Sequence, residues 1–173
     1  NLEEYIKTKK KTGIAAISIK DGDELISVSL VKDEPLILLT KNGMGIKFSS
    51  LEIGATSRVT AGVKGINLNT DDEVVAALPV RDEKDYLAVF GANGMAKKFA
   101  SSELPLQKRS GKGLICHKSE VTAAALISDE DNLLVCGDTN SICVAAKDIT
   151  IGTRQAMGTI VIKDNSIISV SKV

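Results

Sequence analysis

The sequence predicts an all-β chain made of repeated units of about four short strands. Three observations carry that prediction. A tight-turn motif between apolar runs recurs, a glycine-led strand motif occurs four times at nearly constant spacing, and helical periodicity is weak throughout.

The turn motif comes first. "LLTKNGMGIKF" (residues 38–48) joins two apolar runs through Asn42-Gly43, and "AVFGANGMAKKF" (88–99) does so through Asn93-Gly94, with the two glycines 51 residues apart. Asn-Gly between apolar runs is a strong hairpin signal, because two adjacent residues with positive φ form a type I′ turn at little cost. A third copy, "LLVCGDTNSICVAAKDI" (133–149), puts Asn140 in the glycine place, 46 residues after Gly94. Asn tolerates the left-handed conformation nearly as Gly does, so this turn is expected to survive. On that alignment Val144 stands where Lys47 and Lys98 stand. The hairpins run into "SSLEI", "SSELPL" and "AAKDI", each too short for more than one helical turn.

The second motif reads "KTGIAAISI" at Gly13, "GVKGINL" at Gly65, "SGKGLIC" at Gly113 and "AMGTIVI" at Gly158, at intervals of 52, 48 and 45 residues. A further strand follows each: "DELISVSLV", "DEVVAALPV", "EVTAAALIS" and "SIISVSKV". In the first, Ile26, Val28 and Leu30 alternate with Ser27 and Ser29, as in a half-buried strand. The units run near 13–64, 65–112 and 113–157, with the opening strands of another at 158–173. One such sheet cannot bury both its faces alone. Stacked neighbours supply the core, which suits a β-propeller or a related radial array.

Composition sets the other bounds. Of 173 residues, 43% are hydrophobic but only 3% aromatic, so Val, Ile and Leu must build the interior as thin strand layers. Net charge is zero, which excludes a uniformly basic nucleic-acid domain and leaves local patches. No apolar run is long enough to span a membrane, and "NLEEYIKTKKKTG" lacks the apolar core of a secretory signal. The absence of a starting Met fits a fragment of a longer chain. Three cysteines, Cys116, Cys136 and Cys143, have no paired spacing and fit a reducing cytoplasm.

Taken in order, "DGDELISVSLV", "LLTKNGMGIKF", "TSRVTAGVKGINL", "NGMAKKF" and "TRQAMGTIVI" resemble the C-terminal domain of the bacterial DNA gyrase A protein, and of its paralogue in topoisomerase IV, across nearly the whole chain. The resemblance implies a β-pinwheel, a propeller-like disc whose blades exchange strands. This chain would supply three blades plus the opening strands of another, from the later part of the domain. It also implies a function: binding double-stranded DNA and bending it around the outer edge of the disc, in support of supercoiling or strand passage. The partners implied are the rest of the gyrase A polypeptide and the ATPase subunit of the enzyme, in the cytoplasm at the nucleoid. No cofactor is expected here, since ATP, Mg and the cleavage tyrosine belong elsewhere in the holoenzyme. The family's gyrase box reads Gln-Arg-Arg-Gly-Gly-Lys-Gly, and residues 107–113, "QKRSGKG", match five of its seven positions. They are either the equivalent loop of a later blade or a drifted copy of the box itself.

The residues expected to meet DNA form two groups. Lys47 and Lys98, with Lys97 beside the latter, leave the hairpins next to Phe48 and Phe99. Successive strand residues face opposite ways, so each Phe is expected to enter the core while its Lys faces outward and builds a basic rim. The second group is the basic residues near the glycines: Lys9, Lys10 and Lys11, Arg58 and Lys64, Lys108, Arg109 and Lys112, and Arg154. Glycine lets backbone N–H groups approach phosphate while Lys and Arg neutralise it. The competing interpretation is of ordinary solvated lysines that discourage edge pairing. Basic residues thin toward the C-terminus, with ten Lys/Arg against eight Asp/Glu in residues 1–68 and five against seven in 114–173. Nothing resembles a recognition helix, so binding is expected to be electrostatic and sequence-independent.

Other features carry less. "SGKG" lacks the earlier Gly and the following Ser/Thr of a P-loop. His117 has no Cys pair or carboxylate cluster to form a metal site, and reads as a surface or packed His. Residues 21–24 and 70–73 read as solvated acidic turns, and Tyr5 and Tyr86 have no catalytic context. The rival function is a propeller-like protein-interaction module that does not bind DNA.

Overall fold

The computed structural model describes residues 3–7, 12–163 and 166–173. Beyond one helical turn at Glu3–Ile6, its regular structure is strand and 3-10 turn. In chain order the strands are β1 (Leu36–Thr40), β2 (Met44–Phe48), β3 (Val74–Pro79), β4 (Tyr86–Gly91), β5 (Met95–Ala100) and β6 (Leu114–Ile115). They continue with β7 (Val121–Ile127), β8 (Asn132–Gly137), β9 (Ser141–Ala145), β10 (Thr159–Ile160) and β11 (Ile167–Lys172). They form three antiparallel sheets, ordered β3-β1-β2-β6, β10-β5-β4-β7 and β11-β8-β9.

The predicted hairpins are β1–β2, β4–β5 and β8–β9. Leu39 faces Gly45 across the first and Phe90 faces Ala96 across the second. Gly43 has φ +79° and Gly94 φ +77°, while neither Asn42 nor Asn93 has positive φ. The type I′ expectation is therefore corrected. Each loop closes on a single left-handed glycine, the other common hairpin solution. The asparagine has another use: Asn93 Oδ1 accepts the Met95 N–H at 3.3 Å.

The third hairpin is tighter. Cys136 faces Ser141, the Gly137 N–H donates to the Asn140 carbonyl at 2.8 Å, and Asn140 lacks positive φ. The 3-10 turns at Ser50–Glu52, Ser101–Glu103 and Ala146–Asp148 give the true alignment. Three residues before them stand Lys47, Lys98 and Cys143. Val144 thus takes the place of Phe48 and Phe99, and Cys143 that of the lysines. In a strand, a slip of one residue exchanges the two faces.

Strands are exchanged between blades. β3, β7 and β11 pair with the first strand of the hairpin before them. β6 and β10 instead reach back one hairpin further, to β2 and β5. Parallel bridges Lys47–Leu106 and Lys98–Ile151 extend the same crossings. Gly113 (φ +73°) and Gly158 (φ +88°) make the crossings possible, since a Cβ on either would collide with the Gly45 or Ala96 carbonyl. The fourth occurrence of the strand motifs is thereby distributed, β10 to the second sheet and β11 to the third. Among the described residues nothing pairs with the outer edge of β9.

The strand expected over residues 23–31 does not form. Ile26, Val28 and Leu30 are exposed, as are Ile17 and Ile19. Their equivalents in β3, β7 and β11 pair with a preceding hairpin, and residues 1–12 hold no copy of that motif. Residues 62–68 also lack strand structure, and Ile66 folds onto Ile46 and Phe48. Elsewhere the sheets bury one another. Ile37 and Leu39 meet Leu87, Val89 and Phe99 between the first two sheets, and Ala88 and Phe90 meet Leu133 and Val135 between the second and third.

Candidate nucleic-acid interface

Lys47 and Lys98 do not face solvent. They are 5% and 1% exposed, although Phe48 and Phe99 enter the core as expected. The alternation of faces holds, but a sheet stacked between neighbours has no outward face. Lys47 Nζ reaches Glu83 Oε2 at 2.6 Å, and Lys98 Nζ reaches Asp129 Oδ1 at 2.5 Å. Both acids lie in the loop that opens the next hairpin. Lys98 also donates to the Ala146 carbonyl at 2.7 Å and lies 5.0 Å from the Tyr86 ring centroid. The expected basic rim at these positions is corrected to a pair of struts between blades.

Lys97 is also enclosed. Its Nζ donates to the carbonyls of Thr153 (3.1 Å), Arg154 (2.6 Å) and Ala156 (2.5 Å). Burial lowers its pKa to about 8, partly countered by the nearby Cys116 and Glu103. Its equivalents Ile46 and Ile142 are apolar, so the lysine is particular to the second blade, where it holds the 153–156 loop. Lys47, Lys97 and Lys98 all turn their ammonium groups to partners within the protein.

The three arginines predicted to meet DNA, Arg58, Arg109 and Arg154, occupy corresponding loops and donate to backbone carbonyls. Arg58 donates to the Ala15 carbonyl at 3.1 Å, Arg109 to the Lys64 carbonyl and Arg154 to the Ile115 carbonyl. Each ties its loop to an earlier glycine-led segment. Lys9, Lys10 and Lys11 lie outside the described residues.

Three predicted lysines remain exposed: Lys64, Lys108 and Lys112. Lys64 and Lys112 share one place, immediately before the landmark glycine, and Met157 occupies it in the next unit. Lys64 reaches Asn67 Oδ1 at 3.3 Å, and neither Lys108 nor Lys112 has an ion pair among the described residues. Sequence reasoning missed exposed Lys118 and Lys163, although both stand five residues after a landmark glycine. That repeated offset was the available signal.

Two buried groups lie where the crossing segment meets this surface. His117 is packed: Nδ1 faces Ser119, with Oγ at 3.0 Å, and Nε2 lies 3.1 Å from the Met157 carbonyl. Burial lowers its pKa. Burial pushes the Cys116 thiol up to about 11, and no cysteine is disulfide-bonded among the described residues. There is no metal-type cluster of His, Cys, Asp and Glu, and no helix long and apolar enough to cross a membrane, among the described residues.

Comparison with known proteins adds to this geometry. A family model described as "DNA gyrase C-terminal domain, beta-propeller" matches residues 1–32, 34–81 and 85–116. The DNA gyrase A protein of Helicobacter pylori (strain J99 / ATCC 700824) is 33% identical over 167 residues, 91% of this chain and 20% of that protein. The DNA gyrase A protein of Mycobacterium tuberculosis (strain CDC 1551 / Oshkosh) is 32% identical over 160 residues, 87% of this chain and 19% of that protein. The chain thus spans about a fifth of the length of these curated relatives. A solved DNA gyrase A C-terminal domain superimposes with TM-score 0.83 at 28% identity, covering 94% of this chain and 58% of that one. The C-terminal domain of a DNA topoisomerase IV gives TM-score 0.93 at 22% identity, over 98% and 56%, and shares the fold.

Proposed function

Because this chain belongs to the DNA gyrase C-terminal domain, beta-propeller family, we propose that it is a DNA-binding and DNA-bending module of a type IIA topoisomerase. The duplex is held by the exposed lysines beside the landmark glycines Gly65 and Gly113. The observation that carries this reading is the recurrence of Lys64 and Lys112 at one place in successive units, both exposed, with Lys108 nearby. A polymer with evenly spaced charges is matched by charges repeated at the blade spacing. Lys9, Lys10 and Lys11 extend the basic set. The buried lysines support the track without touching it, by fixing the angle between blades. With Met157 in the next unit, the charge fades toward the third blade.

This module carries no chemistry of its own. Cleavage and religation belong to the rest of the gyrase A polypeptide, and ATP hydrolysis to the other subunit of the enzyme. The test is titration of the chain with unrelated duplexes at several salt concentrations. Affinity should fall with a log–log slope of about −0.9 per phosphate neutralised and differ little between sequences. Strong preference for one sequence, or salt-independent affinity, would sink the reading. No binding at low salt would leave a protein-docking propeller instead.

A further inference from the structure

We propose that the outer edge of the second blade meets duplex DNA through aliphatic side chains, seated against the sugars that line the minor groove, a contact that rests on the DNA-binding reading above and adds affinity without neutralising a phosphate. Leu106 and Ile115 lie on the outer edge of the first blade and are 61% and 44% exposed. Their counterparts 45 residues later, Ile151 and Ile160, lie on the outer edge of the second and are 62% and 60% exposed. β10 is the outermost strand of its sheet, and Ile151 bridges to the same β5 at Lys98. Both faces of that sheet are covered: Leu87, Val89 and Phe99 pack toward the first sheet, Ala88 and Phe90 toward the third. The two isoleucines are therefore exposed at the rim and not on a face left bare. Ile151 stands beside Lys98 and Ile160 beside Met95. Those two β5 residues are three apart and point to opposite faces, so the isoleucines straddle the edge.

The same edge has exchanged its cations for neutral side chains. Thr153 and Met157 stand where the first blade has Lys108 and Lys112. The basic residue between them, Arg154, donates to the Ile115 carbonyl. The Thr150 and Thr159 hydroxyls are hydrogen-bonded to each other at 2.8 Å, so their polar atoms already have partners. A duplex that passes the lysines of the first blade thus meets Ile151, Met157 and Ile160 one blade further on. Phosphates gain nothing there, since no counterion is released. The minor groove offers a different surface. Where a duplex curves toward a protein, its inward minor groove is compressed and the two rows of sugars approach each other. Isoleucines on either side of one edge match two rows of sugar C–H groups. Their burial grows as the groove narrows, which favours the bent duplex.

The experiment measures duplex affinity of the 173-residue chain by fluorescence anisotropy from low to high salt, with bending read by energy transfer across an end-labelled duplex. The Ile151→Thr/Ile160→Thr double variant keeps both positions β-branched and suited to a strand. It replaces two ethyl groups by hydroxyls, so affinity should fall about three- to tenfold at every salt concentration. The log–log salt slope should stay that of the parent, and energy transfer at saturation should drop. Netropsin, which fills the minor groove of A·T-rich duplexes, should remove most of the difference between parent and variant on such a duplex. Affinity equal to the parent's at every salt concentration, a shallower salt slope, or a difference that survives netropsin would each overturn the proposal. Should the double variant not fold, Met157→Gln repeats the test from the loop: a smaller loss at constant slope is expected, and no loss overturns it. A parent chain that binds no duplex at low salt removes the DNA-binding reading itself, a result distinct from failure of the variants alone.

Discussion

Lys98 Nζ and Asp129 Oδ1 lie 2.5 Å apart although they belong to different blades, and Lys47 stands in the same relation to Glu83 at 2.6 Å. In both pairs the lysine is buried while its acid stays more than half exposed, at 55% and 58%. The pair is anchored from the ammonium side. Its loss strands a buried carbonyl at Ala146 more than it strands a carboxylate that water can reach.

Lys98→Ala should therefore cost about 2–3 kcal/mol, below the range for breaking a fully buried pair. Lys47→Ala should cost about 1–2 kcal/mol, as it lacks the second acceptor. Urea denaturation measures both. DNA affinity of the folded variants should change little. A large loss of affinity with stability intact would restore these lysines to direct phosphate contact.

The exposed lysines should behave in the opposite way. Lys64→Ala and Lys112→Ala should each make the salt dependence of duplex binding shallower by about one phosphate's worth. Stability should stay within about 0.5 kcal/mol. Fluorescence anisotropy at several salt concentrations, paired with thermal melts, tests the contrast with Lys98→Ala directly.

Lys97 gives a pH signature. Its folded pKa is about 8, below the ordinary 10.5, so between these values the unfolded chain holds the proton more firmly. Stability contributed by this group should rise as pH increases from about 8 to 10.5 and be lost as pH falls back through 8. Lys97→Met should remove that part of the pH dependence. It should also lower stability near neutrality, because the Thr153, Arg154 and Ala156 carbonyls lose their donor. Paired urea titrations of parent and variant across this window would show a parallel pH dependence if the idea is wrong.

His117 acts at lower pH. Burial depresses its pKa below the ordinary 6.5, so stability is full above 6.5 and declines as pH falls through the folded value. With Nε2 donating to the Met157 carbonyl, neutral Nδ1 accepts the Ser119 backbone N–H, and protonation ends that acceptance. Hydrogen exchange should show residues 115–120 and 157–160 loosening together as the pH falls below 6.5 toward the depressed folded value, and protection in these segments that does not change with pH, or changes in only one of them, would refute the link.

The hairpins, the 3-10 turns and the glycines that lead β6 and β10 were legible in the sequence because each depends on local chemistry, whereas the strands expected after Gly13 and Gly65 do not form. Gly43, Gly94, Gly113 and Gly158 all occupy conformations that other residues rarely adopt. The lysines were not legible for a physical reason. Alternation along β2 and β5 separates Lys from Phe, but it does not reveal that both sides of the sheet are covered. That follows only from the strands returned by later units. The third hairpin misled for a smaller reason, a shorter loop, which moved Val144 into the phenylalanine place and Cys143 into the lysine place. Residues 23–31 have a strand's pattern without a strand's partner among the described residues, and pattern alone does not distinguish the two.

The exchange of strands has a consequence for how the chain folds. Gly45 pairs with Leu114, 69 residues away, and Ala96 pairs with Thr159, 63 residues away. Neither of the first two blades is completed by its own hairpin. On the ribosome the first sheet waits, with β2 bare on one side, until the second hairpin and the crossing after it have been synthesised. Such long loop closures make for slow, high-contact-order folding. The positions most exposed to misassembly during synthesis are thus the ones that end up sealed by a neighbour, with Lys47 and Lys98 among them. A charge held on a waiting strand edge keeps nascent chains from pairing with one another until the intended strand arrives.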